Sequence, residues 1–169
     1  MSRATVDLTT LLVAVPAVAK TELEALGEAE YRRRFLNFNE HSGALMAHDG
    51  ATVKFFADRY HHAFHTSHDR ARQAYAKDTV AAVCIARMPW IQPMIEGLAA
   101  DTECWEVPLK VPEEGIRCFP GKRAYVSWKL GYIVWLEPLR KGGFKFSSAY
   151  PVPTGEIQAY LKRARKIWP

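Results

Sequence analysis

Apolar positions follow helical spacing in the first half of the chain and alternate in short runs in the second half. Helical recurrence predicts a mostly helical segment over residues 8–38, through Leu23, Leu26, Ala29, Tyr31 and Phe35. A second stripe predicts one long helix over about residues 53–85, through Phe56, Tyr60, Ala63, Phe64, Ser67, Ala71, Ala74 and Tyr75. A cap at Thr66 or Ser67 would instead divide this stretch into two helices.

From Cys104 onward, short β-prone runs are separated by turns rich in proline and glycine. The candidate strands are Cys104–Val111, Arg117–Phe119, Ala124–Trp128, Tyr132–Leu136 and Phe144–Tyr150. Short turns between successive strands imply antiparallel pairing. A last helix is predicted over Thr154–Trp168, with Ile157, Tyr160, Leu161 and Ala164 facing inward. The predicted class is therefore α+β, with N-terminal helices packed on a four- to five-stranded antiparallel sheet and a C-terminal helix.

No internal repeat or linker-like tract interrupts the 169 residues, which argues for one globule. Residues 1–50 are predicted to be a helical extension of the globule formed by residues 51–169. Hydrophobic residues make up 49% of the chain and charged residues 24%, a globular rather than a disordered composition. No apolar stretch approaches the roughly 18 residues that a membrane span needs.

The cysteines and the N-terminal segment favour a cytoplasmic location. The three cysteines (Cys84, Cys104 and Cys118) are odd in number and form no CxxC pair, so free thiols in a reducing compartment are expected. The apolar run Leu11–Ala19 is a poor signal peptide because Asp7 lies just upstream and Arg3 is the only positive charge before it.

Charge is distributed unevenly along the chain. Residues 115–169 contain eleven Lys and Arg against two acids, a net of +9, so the first 114 residues carry −4 of the total of +5. Such an asymmetry indicates a scaffold joined to a surface that attracts phosphate. A solvated basic face that merely keeps the protein in solution is the alternative.

Four of the six histidines fall between His61 and His68. On a continuous helix, His61, His65, His68 and Arg72 would form one stripe at the edge of the apolar face. Histidine is readily tuned to exchange protons near neutral pH, so the stripe is a candidate acid–base site. Alternatively, the stripe is a solvent-exposed side of the helix on which the histidines have no chemical role. Metal binding is less favoured because the run lacks the glutamate of an HExxH motif, and no cofactor is expected.

A second candidate site lies in the run from Phe144 to Pro151. In a regular strand, alternation would place Ser148 and Tyr150 on the same side as Phe144 and Phe146, which belong in the core. The two hydroxyls would then lie at the rim of a buried face, where they can hold a phosphate or a reacting oxygen. Alternatively, Ser148 is chosen for its small size and Tyr150 packs as a wedge.

Three segments together resemble the barnase–EndoU–colicin–RelE-like ribonucleases, in particular their phage-associated branch. They are the run RYHHAFHTS at 59–67, RMPWI at 87–91, and YIVWL at 132–136 leading to FSSAYP at 146–151. The resemblance covers roughly residues 51–168. It implies helices packed on an antiparallel sheet, and metal-independent RNA cleavage in which the ribose 2′-hydroxyl attacks the adjacent phosphorus.

Carried over residue by residue, the resemblance makes His61 or His62 a proton-transfer group, and the choice between them stays open. It makes Arg87 a phosphate-binding or structural arginine. Ser148, where the family often has threonine, becomes a hydroxyl that contacts the substrate.

The expected function is a metal-independent endoribonuclease, toxin-like or phage-derived, with histidine acid–base catalysis. The candidate catalytic residues are His61, His62, His65, Arg87, Ser148 and Tyr150, and the candidate RNA-binding residues are Arg72, Lys122, Arg123, Lys129 and Lys145. Expected partners are RNA, either tRNA or rRNA, and an inhibitor or immunity protein.

Two alternatives belong to other classes. One is a non-catalytic nucleic-acid-binding module whose basic sheet offers stacking platforms at Tyr125, Trp128, Tyr132 and Trp135. The other is a protein-interaction scaffold. Neither alternative needs the histidines to take part in chemistry.

Overall fold

A computed structural model, which describes residues 5–37, 44–66, 79–109 and 120–169, shows an α+β fold with a curled, mixed seven-stranded sheet. The helices are α1 (Lys20–Tyr31), α2 (Arg59–Phe64), α3 (Ala82–Ala86), α4 (Ile91–Ile95) and α5 (Thr154–Leu161). The strands are β1 (Leu45–Met46), β2 (Thr52–Lys54), β3 (His65–Thr66), β4 (Thr79–Val80), β5 (Thr102–Val107), β6 (Lys122–Ser127), β7 (Tyr132–Pro138), β8 (Phe144–Pro151) and β9 (Arg165–Trp168).

The strand order of the large sheet is β1-β2-β8-β7-β6-β5-β9, and β3 and β4 form a separate pair. Strands β5 to β8 are antiparallel neighbours, which the short turns predicted for β6, β7 and β8. The candidate strand Arg117–Phe119 lies outside the described residues. Strand β2 runs parallel to β8, with Val53 opposite Phe144 and Lys54 opposite Lys145. The expectation of a four- to five-stranded, purely antiparallel sheet is therefore wrong.

The long helix predicted over residues 53–85 is not formed. Its start is strand β2, its middle is the six-residue helix α2, and its described end is β4 followed by α3. Backbone pairing explains the break at His65, which adopts extended dihedrals and pairs with Val80. Residues 67–78, which include His68 and Arg72, lie outside the described part of the chain.

The predicted C-terminal helix is also shorter than expected. Helix α5 ends at Leu161, and β9 then adds to the sheet edge beside β5. Acidic side chains of β5 favour this strand, because Glu103 accepts from Lys166 at 2.7 Å and Glu106 accepts from Arg165 Nε at 2.7 Å. Those cross-strand partners lie about 60 residues away in sequence, so helical periodicity could not reveal them.

The N-terminal segment is helical over a shorter range than residues 8–38. A 3₁₀ turn covers Leu8–Leu11, and α1 continues into a π-helical turn over Arg32–Leu36. The π turn brings Phe35 into the core, where its ring stacks on Phe55 at a centroid distance of 4.4 Å. The chain between Leu11 and Lys20 is not helical.

Two apolar clusters lie on opposite faces of the sheet. The larger one joins the sheet to α1, α2, α3 and α4, and at its centre Tyr31 contacts the rings of Phe35, Phe55, Tyr60, Phe64 and Phe146. The smaller one lies under α5 and contains Ala124, Val126, Ile133, Val152, Ile157 and Leu161. Helix α5 therefore covers the face of the sheet opposite to the other helices.

A β-bulge in β8 changes which side chains share a face. The pairing of β7 with β8 shifts between Trp135, opposite Ser148, and Leu136, opposite Phe146, which leaves Ser147 as the extra residue. Beyond the bulge, Ala149 packs in the same cluster as Phe146. Ser148 therefore faces the other way, with Trp135 and Tyr150. The predicted alternation that placed Ser148 and Tyr150 beside Phe144 and Phe146 is wrong for this reason.

Gly27 tests the contact of α1 with α2 and α3. A Cβ at this buried glycine would lie 2.6 Å from Ile85 Cδ1 and would overlap Tyr60 Oη, which itself donates to Glu24 O at 3.0 Å. We expect Gly27→Ala to destabilise the fold by about 1–3 kcal/mol through overpacking. Urea unfolding measures the change.

Gly155 provides the matched control, since a Cβ there meets no atom within 4 Å and the residue also lies in a helix. Gly155→Ala should leave the stability unchanged or raise it by up to about 1 kcal/mol. Equal changes in the free energy of unfolding for the two substitutions would contradict the close packing of Gly27.

Candidate functional site

One cavity of about 600 Å³ collects residues from four separate segments of the chain. Strand β2 pairs with β8 only as far as Lys145, and α2 packs against β8. The cavity lies beside the second half of β8, where both faces of the sheet can be reached. Its lining is His62, Ala63, His65, Thr66, Ala81, Val83, Cys84, Ser148, Tyr150, Pro151, Val152, Pro153, Glu156 and Tyr160.

Four of the six candidate catalytic residues line this cavity: His62, His65, Ser148 and Tyr150. The two histidines come from the end of α2 and the start of β3, and the two hydroxyls come from β8. Helix α2 holds its place because Tyr60, Ala63 and Phe64 are buried, which turns His61 and His62 outward. Segments more than 80 residues apart in sequence are thus brought to one site.

His65 is the buried histidine of the group. It is 4% exposed, its ring stacks on that of His61 at 4.2 Å, and its Nε2 lies 3.3 Å from Glu24 Oε1. Burial, followed by repulsion from His61, lowers the pKa of His65, although Glu24 acts in the opposite direction. At neutral pH His65 is therefore an uncharged imidazole, and Glu24 from α1 orients its ring through Nε2.

Tyr150 and Tyr160 line the α5 side of the cavity, and each hydroxyl has its own hydrogen-bond partner. The indole N–H of Trp135 donates to Tyr150 Oη at 3.1 Å, and Tyr160 Oη donates to Glu156 Oε2 at 3.4 Å. Burial raises the pKa of Tyr150 to about 12, although the hydrogen bond from Trp135 acts in the opposite direction. Tyr150 therefore stays protonated and can act as a hydrogen-bond donor towards a ligand.

Arg87 does not line the cavity. Its Nη1 donates to Val83 O at 3.1 Å, one helical turn back, and its guanidinium lies 5.2 Å from the centre of the Trp90 ring. These contacts tie the end of α3 to the following 3₁₀ turn, Met88–Trp90. The structure thus places Arg87 in a packing environment rather than beside the histidines.

Three of the candidate RNA-binding residues are engaged in ion pairs at the opposite end of β8. Lys122 and Lys145 both lie 3.3 Å from Glu137, between them. Arg123 forms two hydrogen bonds with Asp49, at 2.6 and 3.0 Å, and covers the Phe144 ring at 4.1 Å. Lys129 is exposed and lines a separate groove near Trp128 and Trp168. Arg72 lies outside the described residues.

The stacking platforms of the binding-module alternative are only partly available. Tyr125 and Tyr132 are completely buried, and Tyr125 Oη is hydrogen-bonded to His48 at 2.9 Å. Trp128 and Trp135 are half-buried, and the Trp128 indole donates to Glu103 at 2.8 Å. Two of the four rings therefore cannot stack on a base, because periodicity did not distinguish the inner from the outer face of β6 and β7.

Sequence reasoning did not identify Glu24, Glu156 or Thr66 as site residues, and it placed Tyr160 in the core. Tyr160 is instead 41% exposed at the cavity rim, whereas Ile157 and Leu161 are buried as expected. The spacing of Glu156 and Tyr160, four residues apart on one helix, is the only signal in the sequence that could have paired them.

Within the described ranges, no group of three or more His, Cys, Asp or Glu side chains is arranged to hold a metal ion. The helices described there are also too short or too polar to cross a membrane. No protein-family model matches this chain, and searches among curated proteins and solved structures find no match.

The lowered pKa of His65 predicts an acid-sensitive fold. The pKa of His48 is also lowered, mainly by burial. Below an unfolded pKa of about 6.5, the unfolded chain binds protons that the folded state excludes. Stability should therefore be full above about pH 6.5 and decline as the pH falls through the folded pKa of each histidine, by at most about 1.4 kcal/mol per pH unit for each proton.

Urea unfolding between pH 7.5 and 5.0 measures this decline. The carboxylates with lowered pKa, such as Asp49 at about 2, act at lower pH and do not interfere. His65→Asn and His48→Asn should each flatten the decline. A wild-type slope in both variants would contradict the assignment.

Proposed function

We propose that the protein is a metal-independent endoribonuclease that cleaves RNA by attack of the ribose 2′-hydroxyl on the adjacent phosphorus. The observation that carries this proposal is the convergence of His62 and His65 with Ser148 and Tyr150 on one cavity. The motif resemblance supplies the reaction class. A cavity of about 600 Å³ is also within the usual range for sites that hold a nucleotide-sized ligand.

The reaction requires a proton acceptor, a proton donor and groups that stabilise the phosphate. Histidine can fill the first two roles, and His62 is the exposed histidine on the cavity wall. In this proposal His62 accepts the 2′-hydroxyl proton and returns it to the leaving 5′-oxygen, while the buried His65, held by Glu24, lies beside it. Ser148 and the protonated Tyr150 are hydrogen-bond donors for the phosphate oxygens.

Basic side chains on one face of the sheet attract the negatively charged RNA. Lys122 and Lys145 lie on the same face of the sheet as Trp135. Lys145 lies opposite Glu137, and both face away from the larger cluster because their strand neighbours Leu136, Phe144 and Phe146 belong to it. Lys122 contacts the same Glu137 carboxylate. Their Nζ atoms share a single carboxylate, so the group keeps a net positive charge. Arg123 contributes less, because Asp49 and Phe144 already occupy its guanidinium.

Cleavage of a mixed-sequence RNA in EDTA tests the activity. His62→Ala should lower the rate by about 10²–10⁴, the usual worth of a general acid or base, and leave the melting temperature unchanged because His62 is exposed. The products should carry 2′,3′-cyclic phosphate and 5′-hydroxyl ends. Purified identically, the variant also controls for contaminating nuclease.

His61→Ala is the matched control, an exposed neighbouring histidine outside the cavity lining. It should lose less than about 10-fold, because it acts on the site only through the ring of His65. RNA binding without any cleavage would instead support the non-catalytic binding module. No interaction with RNA at low salt would leave the scaffold alternative.

The approach surface makes a second prediction. Replacing Lys122 and Lys145 with alanine should weaken binding of all RNAs alike and reduce the slope of log affinity against log salt by about 1 to 2. Arg165→Ala with Lys166→Ala removes the same charge from β9, at the far edge of the sheet, and serves as the control. If both double variants change the slope equally, overall charge and not this surface guides RNA.

A further inference from the structure

Tyr160 presents an aromatic ring at the rim of the cavity. It is 41% exposed, and it meets the Trp135 ring edge-on at a centroid distance of 6.0 Å. Its hydroxyl donates to Glu156, which lies one helical turn before it on α5. A single exposed aromatic side chain is common on protein surfaces. This one is held at both its ring and its hydroxyl beside a cavity.

The ring of Tyr160 adjoins the polar residues of the site. Trp135 lies directly opposite Ser148 on the neighbouring strand, and its indole N–H is bonded to Tyr150. Trp135 therefore contacts both tyrosines, and Tyr150 and Tyr160 line the same cavity. An aromatic surface and the hydroxyls that would contact a phosphate are therefore fixed relative to each other by one continuous set of contacts.

We propose that Tyr160, supported by Trp135, stacks an unpaired nucleobase, so that the substrate is single-stranded RNA. This inference rests on the proposed function and names its substrate class. Stacking on a protein ring needs a base with a free face, and the bases of a duplex are stacked on both faces. Tyr160 has few rotatable bonds, so holding it in place costs little entropy.

Binding measured without reaction tests the stacking platform by itself. The ligands are 2′-deoxy oligonucleotides, which lack the attacking hydroxyl: one of deoxyuridine, and one of its 5,6-dihydro form, which has equal charge but a non-planar, non-aromatic base. Wild-type protein should bind the planar ligand on the order of 10-fold more tightly, the value of one stacked base. Equal affinities would overturn the inference whatever the variants do.

Variants locate the effect. Tyr160→Leu should lose most of the preference for the planar base, and Tyr160→Phe should keep it. Phe56→Leu removes an exposed aromatic ring outside the cavity lining and should change nothing. An unchanged preference in Tyr160→Leu, with its fold verified by thermal melting, would overturn the assignment to Tyr160.

The outcomes separate the two proposals. If the protein cleaves RNA but binds the planar and the non-planar ligand equally, the stacking platform is rejected and the ribonuclease proposal is kept. If it prefers the planar ligand but does not cleave RNA, the platform is kept and the ribonuclease proposal is rejected. Equally tight binding of uridine 5′-monophosphate would assign the platform to free nucleotides and overturn the single-stranded substrate, as would equal cleavage of a single strand and its perfect duplex.

Discussion

The aromatic cluster centred on Tyr31 is the contact on which the other features depend. Its ring lies between Phe35, Tyr60, Phe64 and Phe146, and its hydroxyl donates to Phe56 O at 3.0 Å. Large aromatic side chains bury much surface and prefer tilted or edge-on contacts, as these are. The cluster fixes α1 and α2 against β8. Without it, neither Glu24 nor His65 would be held beside the strand that carries Ser148.

The bulge at Ser147 decides what that strand offers. The buried Ser147 donates its hydroxyl to Glu137 at 3.2 Å, and the following residues change face. Ala149 then fills the core, while Ser148 and Tyr150 join Trp135 and α5. Since α2 approaches from one side of β8 and α5 from the other, the cavity is formed at a strand edge by helices that belong to opposite faces of the sheet.

Several charged side chains connect neighbouring strands of the sheet. The Glu103 carboxylate accepts three hydrogen bonds, from the indoles of Trp105 and Trp128 and from Lys166, at 3.0, 2.8 and 2.7 Å. Arg165, Lys122, Arg123 and Lys145 have acidic partners as well. Partly exposed pairs of this kind contribute little stability individually. Their consequence is that the strong positive balance of residues 115–169 gives a smaller free basic surface than the sequence suggests.

The sequence by itself determined the α+β class, the four strands β5 to β8, the antiparallel order of β6, β7 and β8, and the two segments that carry the site's histidines and hydroxyls. Those features depend on local periodicity and turn residues, which are legible without partners. It did not determine β2, β3 and β9, because each forms against a strand remote in sequence. The face of Ser148 and Tyr150 was misjudged because a bulge is a property of the pairing between two strands and leaves no mark on the alternation of either. Likewise the placement of Glu24, Glu156 and Tyr160 at the cavity followed only from packing, since each comes from a helix whose docking is decided by the tertiary structure.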